Sequence, residues 1–157
     1  MKTKYYAIKL SLLTIIIYLI QLFLKDFTDF FILNQDAYYQ IWRYFTAIFL
    51  HGSISHLLFN MFALALFGTF LESIIGTRKF LIIYFFTGII ANIISVNFYT
   101  SSLGASGAIF GIIGTLILVR PTLLVWGFGL PMPIFVGGIL RVIADLIGLF
   151  VPSNVGN

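Results

Sequence analysis

Two short stretches hold side chains whose types and spacing could do chemistry. "HGSISHLLFN", residues 51–60, contains both histidines of the chain, His51 and His56, together with Asn60. His56 and Asn60 are four apart and share one helical face. His51 lies five before His56, about 140° away on a regular helix and toward its outer edge. Such a pair can simply be hydrogen-bond glue between helices. A His-based metal or haem site has no further His or Cys to complete it. "LGASGAIFGIIG", residues 103–114, places Ser106 between Gly104 and Gly107. Gly107 and Gly111 alone form a small-xxx-small pattern for close helix packing. Ser106 asks for more, because a flanking glycine lets backbone approach a substrate and helix N-terminal N–H groups stabilise an oxyanion. Taken with His56 and Asn60, Ser106 is a candidate nucleophile for acyl transfer.

These residues must be positioned by membrane helices. The 157-residue chain is 61% hydrophobic and 9% charged, with mean hydropathy +1.08. A soluble domain carries about 25% charged residues. The expectation is a single all-α integral membrane domain, a polytopic bundle of about five transmembrane helices. The apolar runs are Tyr5–Leu24, Ile54–Leu71, Phe80–Tyr99, Leu103–Val119 and Ile134–Val151. Each approaches the ~20 residues that cross a hydrocarbon core of ~30 Å. With Arg120 at the inner interface, Ser106 sits about 10 Å below the outer boundary. His56, two residues into the second run, reaches a comparable depth, and polar groups there need a water-filled cavity.

Orientation follows from the basic residues. Lys2, Lys4, Lys9, Arg78, Lys79 and Arg120 fall on one side if the N-terminus is cytoplasmic, and Asp26, Asp29 and Asp36 on the other. The N-terminal run has no small-residue cleavage site after it and reads as an uncleaved span. Five spans put "VPSNVGN" outside, in what we expect to be a prokaryotic cell membrane. Tyr38, Tyr39, Trp42 and Tyr44 in the first loop suit an interfacial belt, and that loop also suits a lateral structure partly in the lipid. Arg141 and Asp145 are spaced to pair on one face of the fifth span. "LVWGFGLPMP" reads as a break before it. There is no cysteine, hence no disulfide or thiolate nucleophile. A basic balance spread along apolar runs speaks for topology and against a nucleic-acid partner.

The ordered set Trp42-Arg43, His51-x4-His56-x3-Asn60 and Gly104-Ala105-Ser106-Gly107 resembles the rhomboid intramembrane serine proteases. Glu72 followed by Gly76 resembles the family's acidic position at the inner end of span two. The resemblance runs from Ala37 to the C-terminus, which divides the chain into 1–36, the N-terminal span and start of the outer loop, and 37–157, a rhomboid protease-like domain. It implies a six-span core, a Ser106 nucleophile cutting transmembrane substrates near the outer face, and an oxyanion held by His56, Asn60 and the Ser106 N–H. Phe110 matches a position where an aromatic packs beside the catalytic histidine. No cofactor or metal is implied. The family's base histidine lies on a sixth span in an Ala-His-x-x-Gly setting. Here "ADLIGLFVPSNVGN" resembles the lead-in to that span, so the domain is expected to be truncated at its C-terminus, just before it. Two further readings remain open: a non-catalytic rhomboid-like protein that binds transmembrane helices, and a small structural or transport subunit.

Overall fold

The structure, a computed structural model, describes residues 4–127 and 130–139. Of these, residues 4–112 belong to one compact unit, and residues 113–127 and 130–139 to a second. Of the first unit, the helices are α1 (Tyr6–Phe23), α2 (Phe27–Phe31), α3 (Arg43–Thr46), α4 (Ile54–Ala63), α5 (Thr69–Ile75) and α6 (Thr77–Ser95); α7 (Ser106–Val119) begins in it. Leu64–Gly68 is a π-helical turn joining α4 to α5, so Ile54–Ile75 forms one span. Among the described residues three segments, Tyr6–Phe23, Ile54–Ile75 and Thr77–Ser95, are long and apolar enough to cross a membrane.

The first unit buries small and polar side chains beside larger apolar ones such as Phe80 and Leu64, and turns many large apolar side chains outward. Ala7, Ser11 and Thr14 of α1 are buried, as are Asn92 of α6 and Ala105 and Ala108 around the start of α7. Leu12, Ile16, Phe59, Phe62, Phe86 and Ile94 face outward. In water that arrangement would be unfavourable; in lipid it is expected, because close backbone approach and not apolar burial drives helix association. The α6–α7 contact shows how. A Cβ added at Gly107 would run into Ala91 Cβ, one at Gly111 would meet Thr87, and one at Gly88 would lie 3.2 Å from Ala108 Cβ. The stripe expected to serve close packing does so against α6.

Three boundaries differ from the sequence expectation, each for a local reason. The second span continues past Leu71 to Ile75 because the carboxylate at its end is not in lipid. Glu72 is 1% exposed; it accepts the Ala7 N–H (3.2 Å) and the Thr77 hydroxyl (2.6 Å). One side chain thus caps the free donors at the start of α1 and fastens it to the α5–α6 corner. Gly76, at φ 83°, turns that corner, so α6 starts at Thr77 and not at Phe80. It stops at Ser95, whose hydroxyl bonds back to the Asn92 carbonyl at 3.0 Å. Gly104, at φ 118°, is incompatible with helix, which delays α7 to Ser106 and leaves it 14 residues, about 21 Å, long.

The first loop is a structured element. Arg43, buried, donates from Nε to Gln40 Oε1 (2.6 Å) and from Nη1 to the carbonyls of Asp29 (2.8 Å) and Ile32 (2.6 Å). The Thr46 hydroxyl donates to the Phe31 carbonyl at 2.9 Å. The loop's β1 (Leu33–Asn34) pairs antiparallel with β2 (Ser101–Ser102), the stretch just before α7. Tyr38, Tyr39 and Trp42 are exposed.

In the second unit, β3 (Leu124–Gly127) and β4 (Leu130–Pro133) form an antiparallel hairpin where a simple chain break was expected. Residues 134–139 are helical, the start of the expected fifth span. The rest of that span, the Arg141–Asp145 pair and the C-terminal "VPSNVGN" lie outside the described residues.

Candidate active site

Ser53 starts the second span. Its extended backbone and its hydroxyl, which accepts the His56 N–H at 3.1 Å, make it the N-cap of α4. His56 and Asn60 therefore lie one turn apart on α4, as their spacing requires. His51 precedes the helix, so the 140° relation expected on a continuous helix does not hold. Instead the two imidazoles meet edge to face, with centroids 4.9 Å apart. His51 is 2% exposed, held by Gln21 of α1, whose Oε1 accepts the His51 N–H (3.1 Å) and whose Nε2 donates to its carbonyl (3.4 Å). Burial, with His56 beside it, pushes the His51 imidazole down to about 4, so it is neutral at pH 7.

The segment before Ser106 is anchored from several sides. Ser101 and Ser102 pair with the first loop, and the Gly104 N–H donates to the Ala47 carbonyl at 2.8 Å. From α6, Asn92 accepts the Ser102 hydroxyl at 3.2 Å and donates to the Tyr44 carbonyl at 2.8 Å. Ser106 is the first residue of α7, where backbone N–H groups have no partner within the helix. A cleft of about 160 Å³ opens beside it, lined by Asn92, Ser102, Gly104, Ser106, Gly107 and Phe110 among others. Phe110 thus shares a cavity wall with Ser106.

His56 reaches this segment at Gly104. A Cβ built on Gly104 would lie 2.8 Å from His56 Cε1 and 3.0 Å from Nε2. The imidazole therefore occupies the space that any other residue at 104 would need, two positions before Ser106. Gly104→Ala is expected to lower stability by ~1–3 kcal/mol, from the positive φ plus this clash. Adding His56→Ala should recover part of the loss in thermal unfolding; equal destabilisation with and without the imidazole would refute the contact.

Asn60 is buried, and its Nδ2 donates to the His56 carbonyl at 2.9 Å, leaving a second N–H without a partner among the described residues. The structure thus joins His56 to the Ser106 segment, with Asn60 one turn behind. Neither histidine is hydrogen-bonded to Ser106: both His51 nitrogens lack partners among the described residues, and the His56 ring meets Gly104 and His51. Two positioning groups escaped the sequence reading, Asn92 and Gln21. Each is an uncharged amide inside an apolar run, and that was the available signal.

Comparison with known proteins follows the same lines. A family model described as Rhomboid domain matches residues 38–157. The rhomboid protease GluP of Bacillus subtilis is 49% identical over 80 residues, covering 50% of this chain and 16% of that protein. The putative rhomboid protease YdcA of Bacillus subtilis is 45% identical over 78 residues, 46% of this chain and 38% of the relative. Inactive RHOMBOID-like protein 8 of Arabidopsis thaliana is 32% identical over 81 residues, 50% of this chain and 23% of that protein. The shared region is thus well under half of each relative's own length. Three helices long and apolar enough to cross a membrane among the described residues, and a family match extending over most of the sequence, lead to one conclusion: this chain is a polytopic integral membrane protein of the rhomboid family.

Proposed function

We propose that this chain carries the nucleophile and oxyanion site of a rhomboid-type serine endopeptidase that cuts transmembrane proteins near the outer membrane face. In this reading the Ser106 Oγ attacks a peptide carbonyl, and the carbonyl oxygen becomes an oxyanion. The Ser106 N–H, the His56 imidazole and the free Asn60 N–H stabilise that charge. The C–N bond then breaks, the amine leaves with the serine proton, and water hydrolyses the acyl-serine. The observation that carries this reading is the packing of His56 against Gly104, which ties the α4 polar pair to the backbone leading into Ser106. The base for the serine proton is not among the described residues. General-base assistance is worth about 10²–10⁴-fold, so turnover depends on it strongly.

A fluorophosphonate probe tests the nucleophile directly. Folded protein in detergent micelles should take up the probe, and Ser106→Ala should reduce labelling to background while leaving the melting temperature nearly unchanged. Equal labelling of both proteins would sink the assignment. A second reading is a rhomboid-like protein that binds transmembrane helices without cutting them, and a 32% identical relative named as an inactive RHOMBOID-like protein supports it. Folded wild-type protein that takes up no probe would favour it.

We further propose that the N-terminus faces the cytoplasm of a prokaryotic cell. The Glu72–Ala7 bond brings Lys4, Lys9, Arg78 and Lys79 to one end of the first unit, whereas the Gln21–His51 contact and the aspartates of the first loop lie at the other. In this cysteine-free chain, a single cysteine at Asn97 should react with an impermeant maleimide on intact cells, and one at Lys4 should not. The reverse pattern would invert the topology.

A further inference from the structure

Among the polar groups buried in the first unit, Asn92 has no place in the chemistry above, yet it touches both structures that frame it. It lies late in α6, within the apolar run "GIIANIIS", and is 5% exposed. An amide buried without partners is costly in a lipid-facing bundle, so its bonds define what it does. Its Nδ2 donates to the Tyr44 carbonyl at 2.8 Å, and its Oδ1 accepts the Ser102 hydroxyl at 3.2 Å. Tyr44 follows Arg43, the residue that organises the first loop. Ser102 lies two residues before Gly104, the residue against which His56 packs. Asn92 also lines the cleft shared with Ser106.

We propose that Asn92 is a positioning residue, which clamps the first loop to residues 101–105 through its two amide bonds and thereby fixes the segment that leads into Ser106, against which His56 packs at Gly104. The inference rests on the reading of Ser106 as nucleophile. The other anchors of this segment, the β1–β2 pairing and the Gly104–Ala47 bond, come from the first loop. Asn92 supplies a tether from α6, the helix on which Gly107 and Gly111 pack. It therefore sets the segment relative to the same helix that carries α7. Loss of either amide bond should loosen residues 101–105 without separating α6 from α7.

The two bonds can be cut separately. Asn92→Asp keeps an acceptor for Ser102 but sets a carboxylate against the Tyr44 carbonyl. Ser102→Ala removes only the hydroxyl, and Ser102→Thr keeps it. Amide hydrogen exchange on the protein in micelles should accelerate at least about tenfold over residues 100–105 in Asn92→Asp and Ser102→Ala. Ile54–Ala63 should keep native protection, and Ser102→Thr should match wild type. Fluorophosphonate uptake should slow in the same two variants, in the covalent step and not in reversible probe binding.

Native exchange over 100–105 in folded Asn92→Asp and Ser102→Ala would overturn the proposal. So would acceleration spread evenly over all helices, since that reports general stability. Should Asn92→Asp fail to fold, Ser102→Ala decides alone. Wild-type protein that takes up no probe defeats the nucleophile reading, whereas the exchange result judges the clamp independently.

Discussion

Gly107→Ala is expected to be among the most damaging single substitutions in the chain, lowering stability by ~1–3 kcal/mol or more. The added methyl would fall on Ala91 Cβ, a methyl fixed to the α6 backbone with no rotamer by which to move aside. Relief therefore requires α7 to back away from α6. That movement would also shift Ser106, one residue before Gly107, away from Asn92. The compensating change is specific: Ala91→Gly removes the obstructing methyl, at the ~1 kcal/mol that glycine costs within a helix. A double-mutant cycle by thermal unfolding should give a favourable coupling of ~1–3 kcal/mol. Additive effects would mean that the two helices do not meet at these residues.

Arg43→Ala is expected to have a comparable effect by a different route. The buried guanidinium bonds two main-chain carbonyls, at Asp29 and Ile32, and one side-chain amide, at Gln40. A hydrogen bond to a charged donor contributes ~1.5–3 kcal/mol, less where its acceptor reaches water, so a loss of about 2–4 kcal/mol should result from the three together. Arg43→Lys should recover little of it, because an ammonium cannot present the planar fork that meets Gln40 and the two carbonyls together. The damage should be local. Limited proteolysis between residues 25 and 50 should become fast, while Thr77–Ser95 stays protected. A folded Arg43→Ala protein with wild-type protease resistance and melting temperature would show that the loop holds its shape by other means.

Both predictions rest on contacts that sequence marks without explaining. Gly107 and Gly111 announce close packing by their spacing, but Ala91 and Thr87 as their partners follow only from how α6 and α7 cross. Trp42-Arg43 matched a family pattern, yet the acceptors of Arg43 are main-chain carbonyls, and a carbonyl has no residue type to read. In the sequence the apolar run of the second span ends at Leu71, just before Glu72. The structure carries the helix through it, since the carboxylate is paired with the start of α1, 65 positions away. His51 was placed on the helix by extrapolation. Ser53, a strong N-cap, in fact begins that helix two residues later.

What the sequence determined by itself was the solvent, the class of fold and the chemistry on offer. Composition and run length demand membrane helices because only they satisfy their own backbone within lipid. Polar side chains inside such helices identify themselves by their cost, and this is why His56, Asn60 and Ser106 stand out as candidates. The tertiary structure alone decided which of them meet. His56 packs into the empty side of Gly104, two positions before Ser106, and Asn92 joins the first loop to the segment that leads into Ser106. These relations connect residues 10 to 48 positions apart. They depend on the crossing of helices and on a single backbone angle at Gly104, neither of which has a local signature.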